Sequence, residues 1–490
     1  MAISYIENMQ DNTPREITWK ALRHADSSLA VPFKLVLNEH ETPVYCEEIV
    51  RIVPGKRLVV FGTWGERQVV VKLFYERQKA RIHAKREITG VEALAAVSIP
   101  TPKLLFKGEA RNKQLQILLF ERIFDAKNLE DIWQQRHERK NIKTLFDAVI
   151  VELATQHVLG ITQHDLHFKN FLVKGKKIYT LDGSSIESCE QILDKKASLD
   201  NLALFFAQLG VGTEKLQKRL FEKYASSRGW IVKKADVEYL SAAIKKWNEQ
   251  RWERYSKKVM RNCTAFARKN TSRALIMYDR SYYSPALQNL LAHPDAIFLD
   301  PQTEMLKSGK SSTVVKVLID NQYFVIKRYN IKSFWHGLRR CLRSTRAASS
   351  WRLANLLRLF GISTAKPIAF IENRFLGLRG KSYFMMEYVE GKNLGEYFSN
   401  YKIGEESFIK VARRVVRLLK NLAKLYISHG DLKMTNILVH NEKPVLIDLD
   451  GTIEHKGKGE TKRGFKREVK RFMENWTAMP SVRALFEKLF

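Results

Sequence analysis

Cysteine is scarce in this chain of 490 residues: Cys46, Cys189, Cys263 and Cys341 are the four, none forms a C-x-x-C pair, and their spacings are too wide for a zinc knuckle. A disulfide framework and a structural zinc site are thereby excluded, and a reducing compartment is the expectation. Long apolar segments are missing too, since no uncharged run reaches the roughly 20 residues that cross a bilayer. The opening MAISYIENMQDNTPRE carries early acids and lacks the basic start and apolar core of a secretory signal. The expected location is cytoplasmic, with any membrane contact peripheral. Acidic residues are in short supply: 52 Asp and Glu face 84 Lys and Arg, a formal charge of +32. That excess points to an anionic partner, whether nucleic acid, an anionic membrane face or a phosphorylated ligand. With 45% apolar residues the chain is not disordered, and its length sets a prior of roughly three domains.

What is present is a repeat. QHDLHFKNFLV at 163–173 is echoed by HGDLKMTNILV at 429–439, and three polar positions keep a constant separation of 266: Asp165 and Asp431, Asn170 and Asn436, Asp182 and Asp448. Upstream, RQVVVKLFYE with Lys72 faces QYFVIKRYN with Lys327, and SIPTPKLL at 98–105 faces GISTAKPI at 361–368. The order of elements is the same twice, so the chain reads as a first domain at 1–250, a basic helical connecting region at 251–289 and a second domain at 290–490.

In the first half EEIVRIVPG, KRLVVFGTW and RQVVVKLF read as three antiparallel strands turned at Pro54-Gly55 and Gly65-Glu66. Ile88, Val91 and Leu94 then recur at helical spacing, as do Trp351, Ala354 and Leu357 before a stop at Gly361. LQILLFERI and KSYFMMEYV each predict one more strand, and most of what remains is amphipathic helix. Each half is therefore expected to be α+β, a small antiparallel β lobe followed by a helical lobe.

The D-x-x-x-x-N pattern, followed twelve residues later by another aspartate, is what phosphoryl transfer from a magnesium nucleotide needs. One carboxylate orients or deprotonates the attacking hydroxyl, while an amide oxygen and a second carboxylate hold Mg²⁺ on the phosphates. A strand lysine adds charge for the phosphates, and a helix glutamate commonly steadies it. On these motifs the chain resembles the protein kinase-like superfamily. Its second half is similar to the lipopolysaccharide core kinases that phosphorylate Kdo or heptose, through SSWRLANLLRLFGISTAKPIA, HGDLKMTNILV, VLIDLDGT and KREVKRFMENW. The first half resembles them less closely, through HDLHFKNFLV and TLDGSS.

The resemblance implies Asp165 and Asp431 as catalytic bases, Asn170, Asn436, Asp182 and Asp448 as metal ligands, and Lys72 and Lys327 as phosphate contacts, with ATP and Mg²⁺ as cofactors. Glu87 stands where the lysine-pairing glutamate is expected, but the matching position in the second half is Ser350. Conversely, Gly309-Lys310-Ser311 in KSGKSST is a better phosphate-covering loop than VPGKR at 53–57. The same tripeptide is not a Walker motif, because Glu304 stands where that motif needs glycine. Asp450 reads either as a second metal ligand or as a loop cap, and His164, His167 and His429 read as braces of the loop.

Neither half has a three-glycine phosphate loop or an A-P-E element, and the first has His167 where the second has Lys433. Both features favour a sugar or small-molecule acceptor over a protein. The implied partner is a lipopolysaccharide core or another anionic glycolipid at the inner face of the inner membrane. Three basic runs fit it: 251–273 with eight Lys or Arg, 327–346 with seven around Phe334 and Trp335, and 456–471 with eight. Two alternatives stay open. One half is a pseudokinase, or the halves form a basic scaffold for membrane or nucleic acid; no RNP motif, zinc-finger spacing or basic low-complexity tail supports nucleic acid.

Overall fold

A computed structural model describes residues 14–23, 25, 29–38, 40–110, 115–136, 139, 141–330, 344–375, 378–400 and 405–490. Lys332, Phe334, Trp335, Arg339, Arg340 and Cys341 lie outside the described residues. The chain divides into two compact units, one of residues 1–206 with 217–245, the other of 207–216 with 246–490.

In the first unit the alternation of Val, Leu and Phe with polar residues builds an antiparallel sheet whose inner face is fully buried at Leu58, Val60, Val69 and Val71. Its strands lie in the order Phe33–Leu35, Val44–Val53, Arg57–Trp64, Arg67–Phe74, Gln116–Glu121 and Leu104–Glu109. The glycines of the two predicted turns, Gly55 and Gly65, have φ of 70° and 59°, a left-handed backbone that L side chains resist. The helix Ala80–Ala96 packs Ala80, Ala84 and Val91 with Phe74, Leu118 and Phe120 of the sheet and buries Glu87 beside them. Helices Ile142–Val158 and Lys195–Phe206 make the body of the helical lobe.

The second unit repeats the plan on a larger sheet, in the order Phe266–Asn270, Ala274–Asp279, Pro367–Phe375, Leu378–Glu387, Gln322–Tyr329, Ser312–Ile319 and Glu304–Ser308. Five of these strands reproduce the order of the first sheet, and the two lysines occupy the same place in it: Lys72 pairs in register with Leu118 and Lys327 with Phe384. The helix Arg346–Leu359 begins at Thr345, whose side chain accepts from the Ala348 amide, and stops before Gly361 at φ 80°. The helix Glu406–Lys424 buries Phe408, Val411, Val415, Leu418 and Leu422 on one face at 3.6-residue spacing.

The segment 251–289 is not the helical connector its charge suggested. Its first helix ends at Lys258, the chain then supplies the two strands Phe266–Asn270 and Ala274–Asp279 to the second sheet, and a second α-helix begins only at Pro285. The reason is apolar: Val259 and Phe266 are buried in the same core as Trp351, whose indole N–H donates to the Val259 carbonyl at 2.8 Å.

Candidate active site

The same local scaffold carries the repeated polar residues in each unit. A short β hairpin, Phe171–Lys174 with Lys177–Thr180, stands between Asn170 and Asp182; Ile437–His440 with Lys443–Leu446 stands between Asn436 and Asp448. Backbone bonds close the hairpin ends. The Leu181 amide donates to the Asn170 carbonyl at 2.8 Å, and the Ile447 amide donates to that of Asn436 at 3.0 Å, which brings each amide side chain beside its aspartate. Asp182 and Asp448 then take left-handed backbone, φ 64° and 56°, a conformation costly for most L residues but tolerated by Asp and Asn. Each catalytic loop is fixed from within: the Asn170 side-chain amide donates to the Asp165 carbonyl at 2.7 Å and that of Asn436 to Asp431 at 2.8 Å. The amide oxygen takes no part in this bond.

In the first unit Lys72 pairs with fully buried Glu87 and lies 4.9 Å over the Phe120 ring. Glu87 also accepts from the backbone amides of Gly183 at 3.2 Å and Ser184 at 3.3 Å, so one carboxylate ties the lysine to the loop after Asp182. That contact requires close approach. A Cβ on Gly90 would stand 1.9 Å from the Gly183 carbonyl oxygen. Burial pushes the Asp182 carboxyl up, but Lys72, Arg57 and the Ser184 hydroxyl together hold it below the usual range. Asp165 accepts from His167 at 2.8 Å, the main reason its carboxyl is also held low.

In the second unit buried Lys327 has two carboxylates, Asp448 and Asp450, each at 2.7 Å. Burial raises the Asp448 carboxyl, and the lysine beside it outweighs burial and brings it below its ordinary value. Asp450 also accepts from the Tyr329 hydroxyl at 2.6 Å and the Ser350 hydroxyl at 3.1 Å. It is therefore the lysine's partner rather than a cap facing solvent. Asp431 is flanked by Lys433 at 3.1 Å and Arg471 at 2.8 Å. A small cleft beside Lys327 is lined by Ser350, Thr364, Phe384, Met386, Asp448 and Asp450 among others.

The structure thus brings together Lys72, Glu87, Asp165, Asn170 and Asp182 in one unit, and Lys327, Asp431, Asn436 and Asp448 in the other. Gly309, Lys310 and Ser311 form the turn between the strands Glu304–Ser308 and Ser312–Ile319, pinned by Arg346, which donates to the Ser311 carbonyl at 3.1 Å. Lys310 is exposed, and it is Lys307 whose charge reaches Asp448. Arg51 and Arg57 do the corresponding work on Asp182 in the first unit. None of Lys307, Arg51, Arg57 and Arg471 was singled out from sequence. A signal existed for Arg57 and Lys307, since both lie in the VPGKR and KSGKSST segments read as phosphate-covering loops.

His429 donates from Nε2 to the Ile447 carbonyl, 3.0 Å away, as a brace. In the first unit the matching position is Gln163, bonded at 2.7 Å to Gln156. His164 is exposed and pairs with Glu187 at 2.6 Å.

One carboxylate and one amide oxygen per site suit Mg²⁺, which takes few protein ligands and completes its shell with phosphate and water. Among the described residues no group of three or more His, Cys, Asp or Glu forms a protein cage for a metal.

A five-stranded antiparallel core with its lysine, a hinge into a helical lobe, and an Asp, Asn and Asp set around a short hairpin define the protein kinase-like class, here in two tandem domains. Residues 62–221 match the lipopolysaccharide kinase (Kdo/WaaP) family, and residues 302–467 match the protein kinase domain. The distribution is the reverse of the one expected from motifs, which put the closer lipopolysaccharide kinase resemblance in the second half. Among curated proteins the chain is similar to the KEOPS complex subunit Bud32 of Pyrococcus abyssi, 30% identical over 149 residues, 29% of this chain and 60% of that one. It is also similar to the serine/threonine-protein kinase RAD53 of Saccharomyces cerevisiae, 34% over 71 residues, 14% of this chain and 9% of that one. A probable serine/threonine-protein kinase of Dictyostelium discoideum, mkcE, is 32% identical over 73 residues, 15% and 10% of the two chains. The chain spans from a tenth or less to three fifths of these relatives.

Proposed function

We propose that this chain is an ATP- and Mg²⁺-dependent phosphotransferase acting on a sugar hydroxyl, Kdo or heptose, of the lipopolysaccharide inner core, at the cytoplasmic face of the inner membrane. The match of residues 62–221 to the Kdo/WaaP family carries the acceptor class, because that stretch holds Lys72, Glu87, Asp165, Asn170 and Asp182 together. In this reading Asp165 and Asp431 take the acceptor proton, Lys72 and Lys327 meet the α and β phosphates, and Asn170, Asp182, Asn436 and Asp448 hold the metal. Magnesium, when bound, neutralises charge that develops on the transferred phosphoryl group. No described helix is long and apolar enough to cross a membrane, so attachment to a lipid surface in this reading is electrostatic, through the basic runs.

The test is transfer of labelled γ-phosphate from ATP to purified lipopolysaccharide or its deacylated core, with casein, free aminoglycosides and choline as controls. Core labelling that disappears with EDTA is expected. Efficient labelling of a control with none of the core would leave the fold standing and reject the acceptor. The relatives named as protein kinases make casein the control that matters most.

A further inference from the structure

The two domains satisfy their lysines by exchanging two residues. In the first, the helix position is Glu87 and the position two beyond the metal-site aspartate is Ser184; in the second, the helix position is Ser350 and the position two beyond is Asp450. The carboxylate has changed places with a serine, and the two members of each pair remain in contact: the Ser184 backbone amide donates to Glu87 at 3.3 Å while its hydroxyl donates to Asp182 at 2.6 Å, and the Ser350 hydroxyl donates to Asp450 at 3.1 Å. A buried ammonium needs a carboxylate partner wherever the chain supplies it. We infer that Asp450 is the positioning residue for Lys327, replacing the absent helix glutamate, and that by holding the lysine it frees Asp448 to bind magnesium.

The geometry makes the second half of that statement necessary. Lys327 contacts both aspartates equally, at 2.7 Å. A lysine left with Asp448 alone would compete with the metal for that carboxylate. Asp450 is built to remain: Tyr329 and Ser350 both donate to its Oδ1, while Oδ2 faces Lys327, with Arg346 3.9 Å away. Burial and the neighbouring Asp450 charge keep the Tyr329 phenol protonated as a donor. The arrangement also changes what the helix does. In the first domain the lysine's partner rides on the helix Ala80–Ala96, so a shift of that helix would break the pair. In the second, the partner belongs to the loop after Asp448, and the helix Arg346–Leu359 contributes the Ser350 hydroxyl and the Arg346 guanidinium rather than the carboxylate.

The inference rests on the nucleotide reading above, and the experiment separates the two. Calorimetric titration of ATP is run on the full chain carrying Lys72→Ala, which silences the first site, with magnesium and with EDTA. The parent should bind Mg·ATP; no binding would defeat the nucleotide reading for this domain and the inference with it. Asp450→Asn, close in shape to the native residue, should weaken Mg·ATP binding by at least about tenfold and raise the magnesium needed for half-maximal binding, with a smaller effect in EDTA. The reciprocal exchange Ser350→Glu with Asp450→Ser, which copies the first domain, should recover binding to within about threefold of the parent. Parent-like binding by Asp450→Asn, or an exchange no better than Asp450→Ser alone, would overturn the inference while leaving the nucleotide reading intact. Thermal unfolding of each variant shows whether it folds; should Asp450→Asn unfold, the exchanged protein decides the matter alone.

Discussion

Asp165 and Asp431 stand at the same place in two copies of one loop and face different neighbours. The first accepts from His167; the second lies between Lys433 and Arg471, and Arg471 also donates to the Gly430 carbonyl. The guanidinium comes from the helix Lys458–Glu474, where Glu468, buried on the same helix, accepts from the Gly430 amide. In the second domain the candidate base is thus held by two permanent cations, Lys433 of its own loop and Arg471 of a late helix; in the first it is held by an imidazole within its own loop. Duplication kept the strand lysine and the Asp, Asn and Asp set and left their surroundings free to diverge, because a carboxylate needs a donor and is indifferent to which element provides it.

The comparison breaks most sharply at the bases themselves. Asp431→Asn and Asp165→Asn, tested singly and together, should each lower the turnover contributed by its own domain by about 10²- to 10⁴-fold. Phosphotransfer measured on the four proteins apportions activity between the halves, and activity surviving in the double variant would mean that neither aspartate is a base.

Next comes Gly90→Ala. The added methyl would meet the Gly183 carbonyl at 1.9 Å, a clash with backbone that cannot be relieved by a rotamer change. Overpacking of this kind costs about 1–3 kcal/mol. It should also separate Glu87 from the Gly183 and Ser184 amides, while the second domain, with Leu449 in place of Gly183, is unaffected. Calorimetric unfolding with nucleotide binding checks both parts.

Acid should then distinguish the two units. His157 is buried in the first, its ring nitrogens bonded to Tyr224 at 2.7 Å and Asn201 at 3.0 Å, and burial lowers its pKa from 6.5 to about 4. The matching residue of the second unit is Ala423. The unfolded chain takes up this proton below about pH 6.5 and the native protein does not, so the stabilising contribution is full above that pH and is lost as pH falls toward 4. Between pH 7 and pH 5 the first unit should lose about 2 kcal/mol through this group. Urea unfolding at the two pH values, with His157→Gln as the variant that flattens the dependence, tests it.

The smallest effect is expected at Arg471. Its ion pair with Asp431 is half exposed, so Arg471→Ala should cost less than about 1 kcal/mol of stability. A loss larger than that would show that the late helix carries the catalytic loop structurally rather than by charge.

Most of this architecture was legible because sheet and helix write themselves into sequence with periods of 2 and 3.6. Four strands of the first sheet's core and the helix bearing Glu87 follow from Val, Leu and Ile spacing, the Asp, Asn and Asp sets follow from the constant separation of 266, and the fifth core strand, Leu104–Glu109, is known from the structure. Composition misled at 251–289, where Arg254, Lys257 and Lys258 dominate the eye although Val259, Phe266 and Met277 decide where the chain goes. The Ser350 gap was visible as a gap. Its remedy was not, since Asp450 is 100 residues away and only the turn after Asp448 carries it to the lysine. Lys307, rather than Lys310, reaches Asp448 because the trajectory of a hairpin tip depends on twist and bulge, and this hairpin slips register between Met305 and Lys307.

The exchanged pair constrains ancestry as well. Two substitutions separate the arrangement of one domain from that of the other, and only one order is easy. A sequence with serine at both positions leaves a buried lysine with a single carboxylate partner, Asp448. A sequence with carboxylates at both positions has a surplus acid, crowded but neutralised in part by the lysine and, in the second domain, by Arg346. A lineage passing from one copy to the other by single steps is expected to have gone through the doubly acidic form. Ser350→Glu alone should accordingly be a milder change than Asp450→Ser alone.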